Sequence, residues 1–373
     1  MAHPQAPTSA PYPARMPPRP PKYVIEKDGQ TSTIRIDDWT ITATKRPILN
    51  GKEIDAAEKR LNLPLPEMTF GNNCLTLTYR PGSSTSQTQV PRQSSTVAQE
   101  QPSEASSVRL AWNALDALAE VAVGEGWEER VGGGVQVAMA EKWSKGRSSP
   151  SSLLSDTPLP TTPVKPHDWT YSTTFAGSVA GPSTFEPSST HHLPLGLLSR
   201  QDPVLDQILF YEDVPLFEDE LHDNGESLYN VRIRIMPHSF FILTRLFLRV
   251  DNVLFRICDV RVYHAFGSGE IIRETRGMEA SYDEVKERLK RQSDLSPLTD
   301  PNFVYQAMMA INAPLQSPDG SGGSSGQQRP TLDHRPRSRV RGKPWPGLGT
   351  RMEVMKLPTE EQAVQEGMRT LAL

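Results

Sequence analysis

The sequence predicts an α+β fold: a single domain built mainly from antiparallel β-sheet, with helices packed against it. Three observations support this class. Apolar and polar residues alternate in most segments that could fold, which is the periodicity of half-buried strands. Several of these segments are separated only by a short turn, which favours antiparallel pairing. Segments with helical spacing are fewer.

The composition limits how much of the chain can fold. Of the 373 residues, 34 are proline and only 36% are hydrophobic, so large parts lack the apolar area that offsets chain entropy. We expect a disordered Pro-rich arm over residues 1–22, one domain over 23–312 and a flexible, partly basic tail over 313–373. Ser/Thr/Pro-rich stretches predict disordered insertions in the domain at about 81–107, 144–164 and 178–204.

Apolar alternation locates the strands, in chain order, at residues 32–44, 74–79, 168–175 and 231–235. In the last of these, Val231, Ile233 and Ile235 share one face. Helical spacing predicts helices over residues 55–61, 108–123 and 282–291. Ser281 is the type of residue that caps the start of the last helix.

A β-hairpin formed by residues 241–250 and 253–263 is the clearest local prediction. Asp251 and Asn252, which stand between these segments, tolerate the positive φ of a two-residue turn. Such a turn would pair Thr244 with Asp259 on an otherwise apolar face. It would also gather three arginines on the opposite face: Arg245, Arg249 and Arg256.

Asp259 therefore has two alternative roles. A carboxylate on an apolar face is costly unless it is paired or lies at the rim of the sheet. Pairing with Arg261 would make Asp259 structural, whereas a place at the rim would make it a docking group for a partner. The sequence leaves both alternatives open.

Charge and cysteine content exclude several classes. The chain has 40 basic and 44 acidic residues, a net charge of -4, which gives no reason to expect nucleic acid or an anionic membrane as partner. Cys74 and Cys258, the two cysteines, cannot form a disulfide framework or a cysteine zinc site. The start of the chain has no signal-peptide pattern, so we expect a cytoplasmic protein.

No common catalytic motif is present. Cys74 and Arg80 have the spacing of a tyrosine phosphatase loop, but the residues between them alternate as a strand and include no glycine. We therefore expect a protein without catalytic activity and without a cofactor. The alternative is a metal-dependent hydrolase, for which four residues supply ligand types: His167, Asp168, His222 and Asp223.

Seven carboxylates lie between residues 212 and 226, interleaved with apolar residues. Such a run is either a solvated loop or a surface for a partner. The candidate partner-binding residues in it are Glu218, Asp219 and Glu220.

Ordered motifs between residues 39 and 274 resemble the Tap-interacting, TIPRL-type family of TOR signalling regulators. The motifs are residues 39–41 with 47–48, 63–73, 165–171, 217–225, 236–237 with 247–251, and 259–261 with 263–264. A helix pattern of the family, Asn-Ala-x-Asp-Ala-Leu, is present at residues 113–118. The long arm, the insertions and the tail depart from the family pattern.

The resemblance implies a compact, non-enzymatic domain found in the cytosol and nucleus. Its members bind the catalytic subunit of type 2A protein phosphatases, or in yeasts the Tap-type phosphatase partner, and modulate phosphatase activity downstream of TOR. The family implies a cleft that receives the C-terminal tail of the phosphatase. It places further candidate partner-binding residues at Asp116, Ile257, Asp259 and Arg261.

Overall fold

The computed structural model describes residues 22–83, 107–123, 171–199, 207–221, 225–252, 254–312, 345, 347–359 and 361–362. The predictions for the Pro-rich arm up to residue 21, for most of the insertion at 81–107 and for that at 144–164 lie outside these residues.

Antiparallel β-sheet is the main regular structure of the described chain, which confirms the predicted fold class. The strands are β1 (Tyr23–Asp28), β2 (Thr31–Ile36), β3 (Trp39–Thr44), β4 (Met68–Thr69), β5 (Cys74–Tyr79), β6 (Val108–Asn113), β7 (Ser178–Ala180), β8 (Glu186–Pro187), β9 (Phe210–Asp219), β10 (Gly225–Met236), β11 (Ser239–Val250), β12 (Leu254–Ala265), β13 (Glu270–Ser281) and β14 (Gly349–Lys356). The helices are α1 (Gly51–Leu61), α2 (Ala114–Val123), α3 (Leu195–Leu198), α4 (Tyr282–Lys286) and α5 (Pro301–Ile311), with a 3₁₀ helix at Ser296–Thr299.

The strands form two sheets. The six-stranded sheet has the order β1-β2-β3-β5-β6-β7, and the eight-stranded sheet has the order β4-β9-β10-β11-β12-β13-β14-β8. Apolar side chains of both sheets, among them Ile41, Leu77, Ile242 and Val260, belong to one buried core. The sheets are therefore layers that face each other.

A second core lies on the outer face of the eight-stranded sheet. Phe247, Phe255 and Ile257 from the sheet pack there with Val285 of α4 and Val304 of α5, all at most 1% exposed. The third layer therefore consists of α4, the 3₁₀ helix and α5. Burial on both faces explains why residues 246–248 of β11 form an apolar run without alternation.

Several predicted elements differ from the structure. Residues 32–44 are two strands rather than one, because Asp37 adopts a positive φ of 52° and reverses the chain. Residues 108–113 are a strand rather than the first half of a helix, since Val108, Leu110 and Trp112 are buried on one face. Residues 171–177 are buried in part but join no ladder.

The prediction of a disordered or flexible chain was wrong at two places. The segment 178–199 contains β7, β8 and α3. Within the segment predicted as a tail, β14 pairs with β13 over eight residues, and Trp345, Met355 and Leu357 are buried. Burial of these apolar side chains explains why the segment folds against the sheet.

None of the described helices has the length and apolar character of a membrane span.

A buried histidine predicts a pH dependence of stability. His264 lies among the rings of Trp39, Phe240 and Phe266, and its Nδ1 is 2.9 Å from the carbonyl oxygen of Glu270. Burial lowers the pKa of His264 to about 4. Between this value and the ordinary pKa near 6.5, the unfolded chain binds the proton and the folded chain does not, so stability falls as the pH falls.

We expect protonation of His264 in the unfolded chain to lower the free energy of unfolding by on the order of 3 kcal/mol as the pH falls from 7 to 4. The measurement is urea denaturation across this range, compared with His264→Phe. The phenylalanine ring suits the aromatic site and does not titrate, and Ser268 still donates to the carbonyl oxygen of Glu270. Equal pH slopes for the two proteins would contradict the prediction.

Candidate protein-binding surface

Asp259 lies in a buried ionic network beneath α5. Its side chain is 0% exposed and accepts two hydrogen bonds from Arg245, from Nε at 2.7 Å and from Nη2 at 2.8 Å. Arg261 Nη2 donates to the same carboxylate at 3.0 Å. Two-pronged arginine contacts of this kind are among the strongest hydrogen bonds in proteins. They supply the pairing that a buried carboxylate needs.

The same two arginines hold α5 against the sheet. Arg245 Nη1 donates to Asn302 Oδ1 at 2.9 Å, and Arg261 Nη2 donates to the hydroxyl of Tyr305 at 2.7 Å. Both guanidinium groups lie over the Tyr305 ring, 5.0 and 5.4 Å from its centroid. Arg261 Nη1 also donates to Glu274 Oε1 at 3.0 Å. The network therefore connects β11, β12 and β13 to the helical layer.

The predicted hairpin exists, but its register differs by one residue. Val250 pairs with Leu254, so three residues rather than two separate the paired ends. Asn252 has a positive φ of 60°, which suits a longer turn with one left-handed residue. As a result Arg245, not Thr244, lies opposite Asp259, and Arg256 lies on the other face from Arg245.

The corrected register changes what Asp259 and Ile257 can do. Both are 0% exposed beneath the third layer, and neither can touch a partner while α5 remains packed on the sheet. The side chain of Arg261 is only 14% exposed. The structure favours the structural alternative for Asp259, with Arg245 as an additional partner. The assignment of these three residues to partner binding stays a prediction.

The acidic candidates are divided between two roles. Asp219 is buried and accepts hydrogen bonds from the backbone N–H groups of Glu67 and Leu221, so it holds the chain reversal after β9. Glu218 is half-buried and Glu220 is exposed. Burial raises the pKa of Glu226, and the charges of Glu218 and Glu220 raise it further while Arg249 lowers it. These three glutamates therefore lie close enough to influence one another, with Arg249 beside them.

Asp116 lies on a different layer. It is exposed in the first turn of α2, which follows the six-stranded sheet, and its Oδ2 accepts hydrogen bonds from Asn113 and Ser178. Its backbone N–H donates to Asn113 Oδ1 at 2.8 Å. The contacts between Asn113 and Asp116 therefore cap the N-terminus of α2. Asp116 and Asp259 are not part of one site.

One surface was missed by sequence reasoning. A row of side chains runs across the outer face of six neighbouring strands, β9 to β14, at directly paired positions: Tyr211, Arg234, Phe241, Tyr263, Ile272 and Val354. We call it the outer-face row. Tyr211 is 54% exposed and the other five are half-buried. In the described part of the chain, the core beneath the helices includes none of the six.

Arg234 is the cation of the outer-face row. Its guanidinium carbon lies 5.2 Å from the centroid of the Phe241 ring, and Nη2 donates to the carbonyl oxygen of Leu198 at 3.2 Å. Its Nε is buried and has no hydrogen-bond partner among the described residues. The row is therefore aromatic and apolar, with one guanidinium group in it. Only the register of six strands reveals it, because its members are far apart in sequence.

The described residues bear on metal binding and on the reactivity of one thiol. They contain no cluster of three His, Cys, Asp or Glu side chains that could hold a metal ion. The four residues of the hydrolase alternative, His167, Asp168, His222 and Asp223, lie outside the described ranges. Burial, followed by the charge of Asp259, raises the pKa of Cys258 to about 12, which keeps this thiol protonated at neutral pH.

The fold defines an α+β protein with two sheets. Its described surface includes the outer-face row, which combines aromatic side chains with an arginine. Surfaces of this composition suit the binding of another protein chain.

Comparison with known proteins identifies the family. The model of the TIP41-like family matches residues 68–286, which is more than half of the chain. The chain belongs to the TIP41-like family, and the resemblance seen in the sequence motifs is confirmed.

Relatives from several eukaryotes extend the match beyond this region. The "Type 2A phosphatase activator TIP41" of Saccharomyces cerevisiae is 36% identical over 289 residues, covering 74% of this chain and 71% of that protein. The human "TIP41-like protein" is 32% identical over 274 residues, covering 72% of this chain and 82% of that protein. The "Type 2A phosphatase activator tip41" of Schizosaccharomyces pombe is 28% identical over 264 residues, covering 71% and 88%.

Proposed function

We propose that this protein is a non-enzymatic regulator that binds the catalytic subunit of a type 2A protein phosphatase, or its Tap-type partner, and so modulates TOR signalling in the cytoplasm and nucleus. The observation that carries the proposal is the 36% identity to a relative named as a type 2A phosphatase activator. The match covers most of both chains, so the two proteins share the folded region and not only a short motif.

The outer-face row is the surface that supports this function best. Tyr211, Phe241 and Tyr263 present aromatic area at little cost in side-chain entropy, and Arg234 provides a cation for a carboxylate or carbonyl group. Aromatic and arginine side chains are those that contribute most binding energy at protein interfaces. The sheet beneath is continuous over six strands, so the side chains are held in place before a partner arrives.

An extended segment of the phosphatase suits this surface better than a folded domain does. The row crosses the strands in a line, and all of its members except the exposed Tyr211 are half-buried. The family implies that the phosphatase contributes its C-terminal tail, which carries a terminal carboxylate. We place that tail on the row, with its carboxylate near Arg234.

The first test measures binding of the full-length protein to a purified type 2A catalytic subunit by calorimetry. The proposed function expects a stable complex and no phosphatase activity in the protein alone. Absence of binding to every type 2A catalytic subunit, tested with and without the Tap-type partner, would contradict the proposed function.

The second test locates the surface. Combining Tyr211→Ala with Tyr263→Ala should weaken binding by roughly 10- to 100-fold, the usual effect of removing two interface aromatics. Leu295→Ala is the matched control, because Leu295 is an exposed apolar residue, 43% accessible, outside the row. A catalytic subunit that lacks the last residues of its C-terminal tail should bind the wild type and the double variant equally weakly. Full binding by the double variant would exclude the row and leave the phosphatase role intact.

A further inference from the structure

The strand β1 is an open edge of the six-stranded sheet. It pairs with β2 on one side, and no strand of the described chain lies on its other side. All six of its residues are exposed, including three consecutive large apolar ones: Tyr23 (43%), Val24 (48%) and Ile25 (39%). Natural proteins usually protect such an edge with charged side chains, proline or a bulge. The charged residues of β1 lie only in its second half, at 26–28. The segment Tyr23–Asp28 has no proline, and its pairing with β2 has no bulge.

The hairpin geometry indicates which backbone groups of β1 are open. Asp28 pairs with Thr31 across a two-residue turn, and the closing pair of such a turn is hydrogen-bonded. Bonded and non-bonded pairs then alternate along an antiparallel ladder. Val24, Glu26 and Asp28 therefore bond to β2, whereas Tyr23, Ile25 and Lys27 direct their N–H and C=O groups away from it.

One face of β1 lies beside the protein core, but its own apolar side chains are exposed. Tyr23 and Ile25 lie opposite Ile36 and Ile34 of β2 and share their face, but Ile34 and Ile36 are buried while Tyr23 and Ile25 are not. The apolar face of the sheet therefore extends past the point where the second sheet covers it. A further strand beside β1 would cover this remainder.

We propose that β1 pairs antiparallel with β1 of a second copy of this chain, forming a two-fold symmetric dimer in which the two six-stranded sheets become continuous. A two-fold axis at Ile25 places the outward-bonding residues of one copy opposite those of the other. Ile25 then faces Ile25 of the second copy, and Tyr23 faces Lys27.

Charge complementarity selects this register. With Ile25 on the axis, Lys22 lies opposite Asp28 of the second copy at both ends of the interface, in non-bonded pairs where side chains approach most closely. Shifting the strand one way places Glu26 opposite Glu26, which repels. Shifting it the other way leaves Asp28 without a basic residue opposite it and places Lys22 opposite Glu26, whose carboxylate already has a partner. Glu26 already bonds to Arg35 within its own copy.

Sedimentation of the full-length protein over a concentration series tests the proposal. A reversible monomer–dimer equilibrium is expected, and Ile25→Lys, which places two like charges on the axis, should weaken it by at least about tenfold. Lys22→Asp and Asp28→Lys should each weaken the dimer, and their combination should restore it. Lys59→Asp, on the exposed face of α1, is the control and should change nothing. Melting curves verify that each variant is folded.

Amide exchange gives an independent readout. The N–H groups of Tyr23, Ile25 and Lys27 should become protected as concentration rises, while those of Val24, Glu26 and Asp28 are protected at every concentration. A wild type that stays monomeric, a dimer unaffected by Ile25→Lys, or failure of the charge exchange to restore pairing would overturn the proposal.

Discussion

Replacing Asp259 with asparagine is expected to lower the free energy of unfolding by about 3 kcal/mol, because it leaves buried arginines without their counter-charge. Asparagine has nearly the same shape, but its amide group would present N–H donors to the donors of Arg245 and Arg261. Both arginines bond to Asp259 and to α5, so we expect the third layer to loosen as well. Urea denaturation measures the loss, and amide exchange in α5 locates it.

Asp213→Asn is the matched control for this change. Asp213 accepts a hydrogen bond from Arg232 Nε at 2.8 Å, but both side chains are substantially exposed, at 38% and 42%. An exposed pair contributes at most about 1 kcal/mol. If Asp259→Asn kept its stability and lost only phosphatase binding, Asp259 would be a docking group and the structural assignment would be wrong.

Ending the chain at residue 344 is expected to destabilise the domain by more than about 5 kcal/mol, since three buried apolar side chains are lost and each contributes roughly 1.5–3 kcal/mol. These are Trp345, Met355 and Leu357, all at most 6% exposed. The truncation also removes the Trp345 ring, whose centroid lies 5.7 Å from the guanidinium carbon of Arg256. Without β14, the edge of β13 is exposed. Loss of a cooperative thermal transition is the expected observation.

A point variant tests the same contact without shortening the chain. A Cβ atom at Gly277 of β13 would overlap the carbonyl oxygen of Gly347, so Gly277→Ala should displace the segment before β14 and cost about 1–3 kcal/mol. Gly269→Ala is the control, since nothing lies within 4 Å of an added Cβ there. A truncated protein as stable as the full chain would show that β14 is dispensable.

The elements predicted correctly are those that local periodicity determines. Alternation alone located β5 and the centre of β10, and the Ser281 cap located the start of α4, where its side chain accepts a hydrogen bond from the backbone of Glu284. At residues 108–123 two periodicities meet, since alternating residues run directly into an Ala- and Leu-rich helix. The helical signal was extended too far toward the N-terminus for this reason.

Features that depend on long-range pairing could not be read from the sequence. In β14 only Met355 is fully buried, so its pattern is weak, and pairing with β13 identifies it as a strand. One additional turn residue in the β11–β12 hairpin moved Arg245 to the face of Asp259. Because side chains alternate along a strand, a shift of one residue reverses every face assignment. The buried site under α5 was therefore predicted with the right carboxylate and only one of its two arginines.

The position of β14 has a consequence for protein synthesis. β13 lies between β12 and β14, and β8 pairs in turn with β14. On the ribosome, β8 and β13 are made long before residues 349–356, so during that interval β8 has no partner and one side of β13 is unpaired. Domains on a nascent chain generally fold as units, and unpaired strand edges promote aggregation. The eight-stranded sheet is completed only after residues 349–356 have been made, and we expect the nascent chain to need chaperone protection until then.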